Sequence, residues 1–282
     1  MLVLVTGVEG FTGHYVKAEL EANGHTVVGL NSDLTNADAV TNEVINLQPE
    51  AVIHLAGIAF VGDDNANAFY NVNLVGTRNL LDALAKHGSK LSSVLITSSA
   101  NVYGNTTGGV LDENVSPNPP NDYAVSKLAM EYMARLWSEK LPICIVRPFN
   151  YTGVGQNEKF LIPKIIKHFQ NKEAVIELGN LEVWREFGDV RTVAAIYRML
   201  IENCPKGETL NVCTGQTYSL KEVMTLCEKL TGHKIEIKVN PAFVRENEVR
   251  ELKGDNKRLN NWVANIPAYT FEETLSWMLT LK

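Results

Sequence analysis

Tyr123 and Lys127 stand four residues apart in Tyr123-Ala124-Val125-Ser126-Lys127, a spacing that places both side chains on one face of a helix. A phenol in water titrates at roughly 10. An ammonium beside it favours the phenolate and is expected to lower that value, so that the pair can exchange a proton with a substrate oxygen near neutral pH. Upstream, Thr97-Ser98-Ser99-Ala100-Asn101-Val102-Tyr103-Gly104 follows an apolar run and offers the hydroxyl of Ser99 to hold the same oxygen. Each motif alone has a bland reading, since Y-x-x-x-K is a common surface pair and paired serines often end a strand. Their occurrence together, behind a glycine-rich turn, is what points to chemistry.

That turn is Val5-Thr6-Gly7-Val8-Glu9-Gly10-Phe11-Thr12-Gly13, at the junction of the first strand and the first helix. Glycines let the backbone turn tightly and approach a pyrophosphate, and the helix N-terminus then faces the phosphates with unpaired N–H groups. The spacing is G-x-x-G-x-x-G rather than G-x-G-x-x-G, a weak signal by itself that gains weight from its place after a strand. An acidic residue after the second strand would bind the adenosine ribose of NAD. Here the strand runs into Leu30-Asn31-Ser32-Asp33-Leu34, where Asn31 is not acidic and no arginine stands ready for a 2′-phosphate. Asp33 either touches the ribose or adenine or caps the following helix.

The pattern of apolar residues predicts strands over 2–5, 26–30, 51–55, 94–97 and 143–146, with helices over 13–22, 36–47, 66–86 and 123–139. Continuous apolar strands alternating with helices imply a parallel sheet covered on both faces. After Pro148 the rhythm changes, to helix 160–169, strand 174–178, helix 190–203, strand 209–213, helix 220–230, strand 234–239 and helix 271–281. The expected fold is α/β, a Rossmann-type doubly wound parallel sheet with a smaller C-terminal α/β substrate lobe. Residues 1–150, joined by part of 190–215, are assigned to the dinucleotide side, and 151–189 with 216–282 to the lobe. Ligands in such sheets bind at the carboxyl ends of the strands, where all three motifs fall.

The four cysteines are scattered with no C-x-x-C pair, which argues against zinc or a disulfide framework and fits a reducing, cytoplasmic setting. No metal site is expected, because the histidines show no ligand spacing. A net charge of −6 without a basic stripe weighs against nucleic acid as a partner. No apolar run reaches the length of a membrane span, and Met1-Leu2-Val3-Leu4-Val5 reads as a strand, not a leader.

In order along the chain, Thr6-Gly7-x-x-Gly10-x-x-Gly13, His54-Leu55-Ala56-Gly57, Asn73-Leu74-Val75-Gly76-Thr77, Ser98-Ser99-Ala100-x-Val102-Tyr103-Gly104 and Tyr123-x-x-x-Lys127 resemble the extended short-chain dehydrogenases/reductases acting on nucleoside-diphosphate sugars. Arg147-Pro148-Phe149-Asn150-Tyr151-Thr152-Gly153-Val154-Gly155-Gln156 is similar to a segment of GDP-mannose 4,6-dehydratases and GDP-4-keto-6-deoxymannose reductases. So are Gly179-Asn180-Leu181, Arg185-Glu186-Phe187, Asp189-Val190-Arg191 and Asn211-Val212-Cys213-Thr214-Gly215. The short chain and the clipped segment after the second strand look more like the reductases.

The resemblance implies Ser99, Tyr123 and Lys127 as catalytic residues, Ser99 being chosen over Ser98 because it directly precedes Ala100. It implies cofactor contacts from Gly7, Gly10, Phe11, Thr12, Gly13, Asn31, Asp33, Leu34, Leu55, Ala56, Gly57, Asn73, Tyr123 and Lys127. Substrate contacts would come from Ser99, Asn150, Arg185, Arg245 and Glu248. Guanidinium forks suit phosphate oxygens, whereas the structural alternative for either arginine is an ion pair with Glu182, Glu186 or Glu248. At Arg245 the family's following proline is replaced by Glu246, which leaves that arginine's aim open. The cofactor is NADP or NAD, with NADPH ahead of NADH, and the substrate sugar is GDP- or dTDP-linked. The family also implies a homodimer, formed by the helices over 66–86 and 123–139.

Ala100 and Asn101 occupy the positions where dehydratases of this kind carry a carboxylate, and neither can transfer a proton. Reduction at C4 of a 4-keto-6-deoxyhexose is therefore the leading expectation. A 4-epimerase uses the same residues, a dehydratase ranks third, and a non-catalytic nucleotide sensor is disfavoured because both tyrosine and lysine are present. His54 is expected to be packed and hydrogen-bonded rather than a proton shuttle. Trp184 and Phe187 either wall the nucleotide site or fill the core, and Phe160-Leu161-Ile162-Pro163-Lys164 could cover the base.

Overall fold

The first apolar run becomes β1 (Leu2–Thr6), and the glycine turn leads from it into α1 (Phe11–Ala22). The computed structural model describes residues 1–58, 65–104, 109–243 and 250–281. Arg245 and Glu248 lie outside the described residues.

The chain continues through β2 (Thr26–Gly29), α2 (Ala37–Leu47), β3 (Ala51–His54), α3 (Ala66–Phe69), α4 (Thr77–His87), β4 (Ser93–Thr97), β5 (Gly109–Leu111), α5 (Asp122–Arg135) and β6 (Ile143–Pro148). Then follow β7 (Tyr151–Thr152), α6 (Leu161–Gln170), β8 (Val175–Leu178), β9 (Trp184–Glu186), β10 (Gly188–Asp189), α7 (Val190–Asn203), β11 (Thr209–Val212), β12 (Thr217–Ser219) and α8 (Leu220–Thr231). The last elements are β13 (Glu236–Val239), β14 (Glu251–Gly254), α9 (Lys257–Asn260) and α10 (Phe271–Thr280).

Six strands form one wholly parallel sheet in the order β11-β6-β4-β3-β1-β2. Along β1 the side chains alternate between two apolar layers, as the two-residue period of a strand requires. Val3 and Val5, with Ile53, Leu95 and Val146, pack beneath α1 and α7 through Val16, Leu20, Val193 and Leu200. Leu4, with Val52, Val94, Ile96 and Ile145, packs under α2, α4 and α5 through Val44, Leu80, Leu84 and Met130. The expected doubly wound parallel sheet is present, and the late strand β11 closes its edge.

The chain goes from β1 outward to β2, then crosses back to place β3 on the other side of β1. The strand order reverses there, which opens a crevice at the carboxyl ends of β1 and β3. A third apolar cluster, built on Ile165, Phe169, Val223 and Leu275, joins α6, α8, α10 and the β8–β13 pair. The N-termini of α8 and α10 are fixed by reciprocal capping boxes, Ser219 with Glu222 and Thr270 with Glu273.

One predicted element proves composite. The helix expected over 66–86 is α3, a π-helical stretch at Tyr70–Gly76, and α4. At the end of this stretch a Cβ on Gly76 would lie 2.9 Å from the Cβ of Leu34, so the close approach there requires glycine. The stretch sets Asn73 in the site described next. The four-stranded sheet β12-β9-β14-β5 was not predicted, because its strands of three or four residues carry no readable alternation.

Candidate active site

Helix α5 begins at the cap Asn121, whose side chain accepts the N–H of Ala124 at 2.9 Å. Its first two turns bring Tyr123 and Lys127 to the carboxyl end of β4, both buried, at 7 % and 5 % exposure. Ser99 stands two residues beyond β4, and its hydroxyl accepts from the N–H of Asn101 at 3.1 Å and lies near enough to the Tyr123 phenol to favour its ionised form. Ser98 points the other way and donates to Glu131 at 2.6 Å, so of the two serines it is Ser99 that meets the phenol.

Burial pushes the Tyr123 phenol up to about 12, with the nearby Ser99 hydroxyl opposing. This corrects the expectation that Lys127 would bring it toward neutrality. The Lys127 ammonium instead donates to the carbonyl of Thr97 at 2.9 Å, and its own desolvation lowers it to about 8. In this state the phenol keeps its proton at neutral pH and is an acid awaiting a base.

Asn73, reached through the π turn, accepts from the N–H of Ile58 at 2.9 Å and donates to its carbonyl at 3.2 Å and to Ser126 on α5 at 3.1 Å. It thereby locks the Leu55-Ala56-Gly57 segment to the helix that carries Lys127. Gly57 permits the approach, since a Cβ there would lie 2.8 Å from Asn73 Oδ1 and 3.3 Å from Lys127 Nζ. Gly7, at φ +70°, rests against the same segment, its ideal Cβ position 3.0 Å from the Ala56 backbone.

The glycine turn fits a dinucleotide. The N-cap of α1 is Gly10, with no side-chain cap and no acid in the first turn, so the helix N-terminus remains open to an anion. Gly13 contributes differently: a Cβ there would sit 2.3 Å from the carbonyl oxygen of Gly7, so it serves the close packing of helix on turn. Phe11 stacks on Tyr151 with ring centroids 6.3 Å apart, and Thr12 hydrogen-bonds the Tyr151 hydroxyl at 2.8 Å. Asp33 does not cap α2. It closes its own turn by accepting from the N–H and hydroxyl of Thr35, each at 2.8 Å, and the cap is Asn36. Asn31 lies exposed at the exit of β2, and Leu34 is buried under α4, its carbonyl bonded by Asn79 at 2.9 Å.

On the opposite wall, Asn150 is exposed after β6, and Arg185 lies on β9 with one guanidinium N–H donated to the Trp184 carbonyl at 2.8 Å. Glu186 faces the other way, buried, where its carboxylate accepts from the backbone of Gly254, Thr214 and Gly215. Of the two aromatics, Phe187 belongs to the core, stacked on Phe271 at 5.4 Å. Trp184 lines an open hollow with Arg250 and Glu251, its ring under the Arg250 guanidinium at 5.1 Å.

A buried ion pair beneath the site was missed by sequence reasoning. Glu131, fully buried one turn beyond Lys127, accepts from Arg147 Nε at 2.9 Å and Nη2 at 2.7 Å, and also from Ser98. Arg147 Nη1 donates to Tyr103, which donates to Asn211. The signal was available as a carboxylate four residues after Lys127 on the same helix face.

His54 is packed as expected. Its Nε2 meets Thr77 at 2.8 Å and its Nδ1 meets Thr6 at 2.7 Å. Because Thr77 donates to the Asn73 carbonyl, it accepts from Nε2–H, and Nδ1 accepts from Thr6. Desolvation, helped by the Lys127 charge, lowers the imidazole to about 3. The folded value lies below the unfolded one of about 6.5, so the unfolded chain binds the extra proton and stability falls as pH drops below 6.5. From pH 6.5 to 5 this group should remove about 2 kcal/mol. Urea unfolding of the wild type and His54→Asn at both pH values checks this, and equal losses in the two proteins would refute it.

Comparison with known proteins agrees with this geometry. The sequence profile described as "NAD dependent epimerase/dehydratase family" matches residues 3–213. The chain belongs to that family. Its cofactor is accordingly a nicotinamide dinucleotide, NAD or NADP. This family member is 37% identical over 276 residues to the GDP-6-deoxy-D-talose 4-dehydrogenase of Aggregatibacter actinomycetemcomitans, covering 96% of this chain and 94% of that one. It is 35% identical over 295 residues to the GDP-6-deoxy-D-mannose reductase of Pseudomonas aeruginosa, covering 99% and 96%. Among solved structures, RMD from Pseudomonas aeruginosa complexed with NADPH superposes with a TM-score of 0.89 at 31% identity, covering 99% and 98%. A Burkholderia cenocepacia protein provisionally described as an epimerase gives 0.94 at 45% identity, covering 99% and 97%. Among the described residues of this epimerase/dehydratase family member, no helix is long and apolar enough to cross a membrane, and no histidine, cysteine and carboxylate cluster could hold a metal.

Proposed function

We propose that this protein reduces the C4 ketone of a nucleoside-diphosphate 4-keto-6-deoxyhexose, a GDP-linked sugar ahead of a dTDP-linked one, in the making of deoxysugar precursors. The observation that carries the reading is the protonated Tyr123 phenol, buried near Ser99 and one helical turn from Lys127, with Ala100 and Asn101 where an elimination would need carboxylates. A dinucleotide whose pyrophosphate is held at the glycine turn would supply the hydride from its nicotinamide. Ser99 and Tyr123 hold the carbonyl oxygen, and Tyr123 transfers its proton to that oxygen as C4 takes up the hydride. The phenolate left behind is stabilised by the Lys127 ammonium and is reprotonated from solvent. Asn150 and Arg185 hold the diphosphate, with Arg245 and Glu248 as further contacts. The lobe of residues 151–189 and 216–282 thus binds the sugar nucleotide, and 1–150 with part of 190–215 binds the dinucleotide.

The names of the two relatives above support this reading, since both describe a redox enzyme acting on a GDP-linked 6-deoxyhexose. A second reading, 4-epimerase, is favoured by the 45% identity to the Burkholderia cenocepacia protein provisionally described as an epimerase and by the 26% identity to the UDP-glucose 4-epimerase of Corynebacterium glutamicum. The absorbance of reduced nicotinamide separates them. Stoichiometric oxidation of added NADH or NADPH by a GDP-4-keto-6-deoxyhexose is expected. Sugar interconversion with no net loss of absorbance would establish the epimerase.

We also propose a homodimer across α5. Val125, Tyr132 and the adjoining Leu136 are exposed on one stripe of that helix, with Val75 beside it on the π turn. Sedimentation should give twice the chain mass, reduced to the monomer by Tyr132→Glu with Leu136→Glu. A wild-type monomer would reject the dimer.

A further inference from the structure

We infer that Glu43 makes this protein select NADH over NADPH by filling, from within the chain, the donor cluster that a 2′-phosphate would require. This reverses the order expected from sequence. It rests on the dinucleotide site and not on the identity of the sugar.

The location follows from the sheet. Gly29 ends β2 opposite Val5 of β1, and Leu30 donates its N–H to the Val5 carbonyl at 3.3 Å. A Cβ on Gly29 would lie 2.6 Å from the side chain of Val8, so the chain leaving β2 runs beside the glycine turn. In a doubly wound sheet this exit is where the adenosine ribose of a dinucleotide is read.

Four donors converge there on one carboxylate. The N–H and side-chain amide of Asn31 donate to Glu43 Oε1 at 2.8 and 3.3 Å, and the N–H and hydroxyl of Ser32 donate to Oε2 at 2.8 and 2.5 Å. Two successive backbone N–H groups with a hydroxyl alongside form the sort of concavity that binds a phosphate. In this chain Glu43, carried on α2, already sits in it. Burial raises the carboxyl, but the bonds from Asn31 and Ser32 outweigh that and hold it below its ordinary value, so it is anionic at neutral pH.

The consequence is a difference between two ligands that differ by one group. A ribose 2′-hydroxyl is uncharged and meets no repulsion from Glu43. A 2′-phosphate meets a like charge and finds its donors engaged. The surrounding segment offers no remedy, since residues 30–47 contain Asp33, Asp38 and Glu43 and no lysine or arginine. Arg78 is exposed on α4 next to Asn79, which bonds the Leu34 carbonyl at 2.9 Å, so it is the cation to test as an alternative phosphate partner.

The test is direct titration of the protein with NADH and with NADPH, by calorimetry or nicotinamide fluorescence, without sugar substrate. The wild type is expected to bind NADH at least about tenfold more tightly, equivalent to about 1.4 kcal/mol. In Glu43→Gln, which removes the charge and keeps the shape, and in Glu43→Ala, which empties the cluster, the preference should shrink to within about threefold, under 1 kcal/mol. Circular dichroism and melting confirm that each variant is folded. Wild-type protein that binds NADPH as tightly as NADH would overturn the inference. So would an unchanged ratio in both folded variants, or tight NADPH binding that is lost in Arg78→Ala, which would put the phosphate on α4 instead. Because no sugar is present, failure of the proposed reduction leaves this result untouched.

Discussion

Replacing Tyr123 with phenylalanine should lower kcat by about a thousandfold or more while leaving the affinity for the reduced dinucleotide within a factor of a few. The ring is held by its surroundings, edge-on to Phe69 at 5.9 Å and buried against α5's neighbours, so removing one oxygen leaves the fold in place. What disappears is the acid. Ser99 can still hold a carbonyl oxygen, but it has no lysine behind it, and the Lys127 ammonium is bonded to Thr97. The measurement pairs steady-state rates with dinucleotide titration on the same preparation. A variant that keeps wild-type turnover would remove Tyr123 from the mechanism. One that loses turnover and dinucleotide binding together would make the residue structural.

The second large effect concerns stability. Glu131→Ala should destabilise the fold by about 3–5 kcal/mol, because it leaves the Arg147 guanidinium buried and unpaired. Arg147 is 3 % exposed and Glu131 is fully buried, so water cannot replace the lost partner. The pair joins α5 to β6 and, through Ser98, to the end of β4, and so ties the helix carrying Tyr123 and Lys127 to the strand end that carries Ser99. The double replacement Glu131→Leu with Arg147→Met should recover much of that loss, since a well-packed apolar pair avoids the desolvation of two charges. Turnover should recover less than stability, because Ser98 would lose its partner beside Ser99. Urea unfolding of the two variants and the wild type measures this. A Glu131→Ala cost below about 1 kcal/mol would show that the pair contributes no more than a surface contact.

The large parallel sheet was readable because its strands are uninterrupted apolar runs and its helices carry one apolar face. The proposed triplet Ser99, Tyr123 and Lys127 was readable because it follows fixed spacing around one strand end and one helix turn. Less could be seen of what depends on chain segments meeting far from one another in sequence. Glu131 and Arg147 look like ordinary surface charges until the fold buries them together. Glu43 reads as a solvated helix residue, and only the return of α2 over the β2 exit shows that its carboxylate meets Asn31 and Ser32. The Tyr123 value was misjudged for a related reason. Spacing brings an ammonium near a phenol, but the depth of burial decides which influence wins, and burial cannot be read from a four-residue interval. The strands β5, β9, β12 and β14 were invisible because strands so short take their register from partners, not from pattern.

The proposal as a whole requires that hydride reach C4 of the sugar while Tyr123 protonates the oxygen. Turnover of a GDP-4-keto-6-deoxyhexose with dinucleotide deuterated at the transferable position of the nicotinamide tests this directly, the product being read by proton NMR. The account predicts one deuterium at C4 and loss of the H4 signal, in step with oxidised dinucleotide formed. Product that retains hydrogen at C4, or deuterium found at another ring carbon, would contradict it.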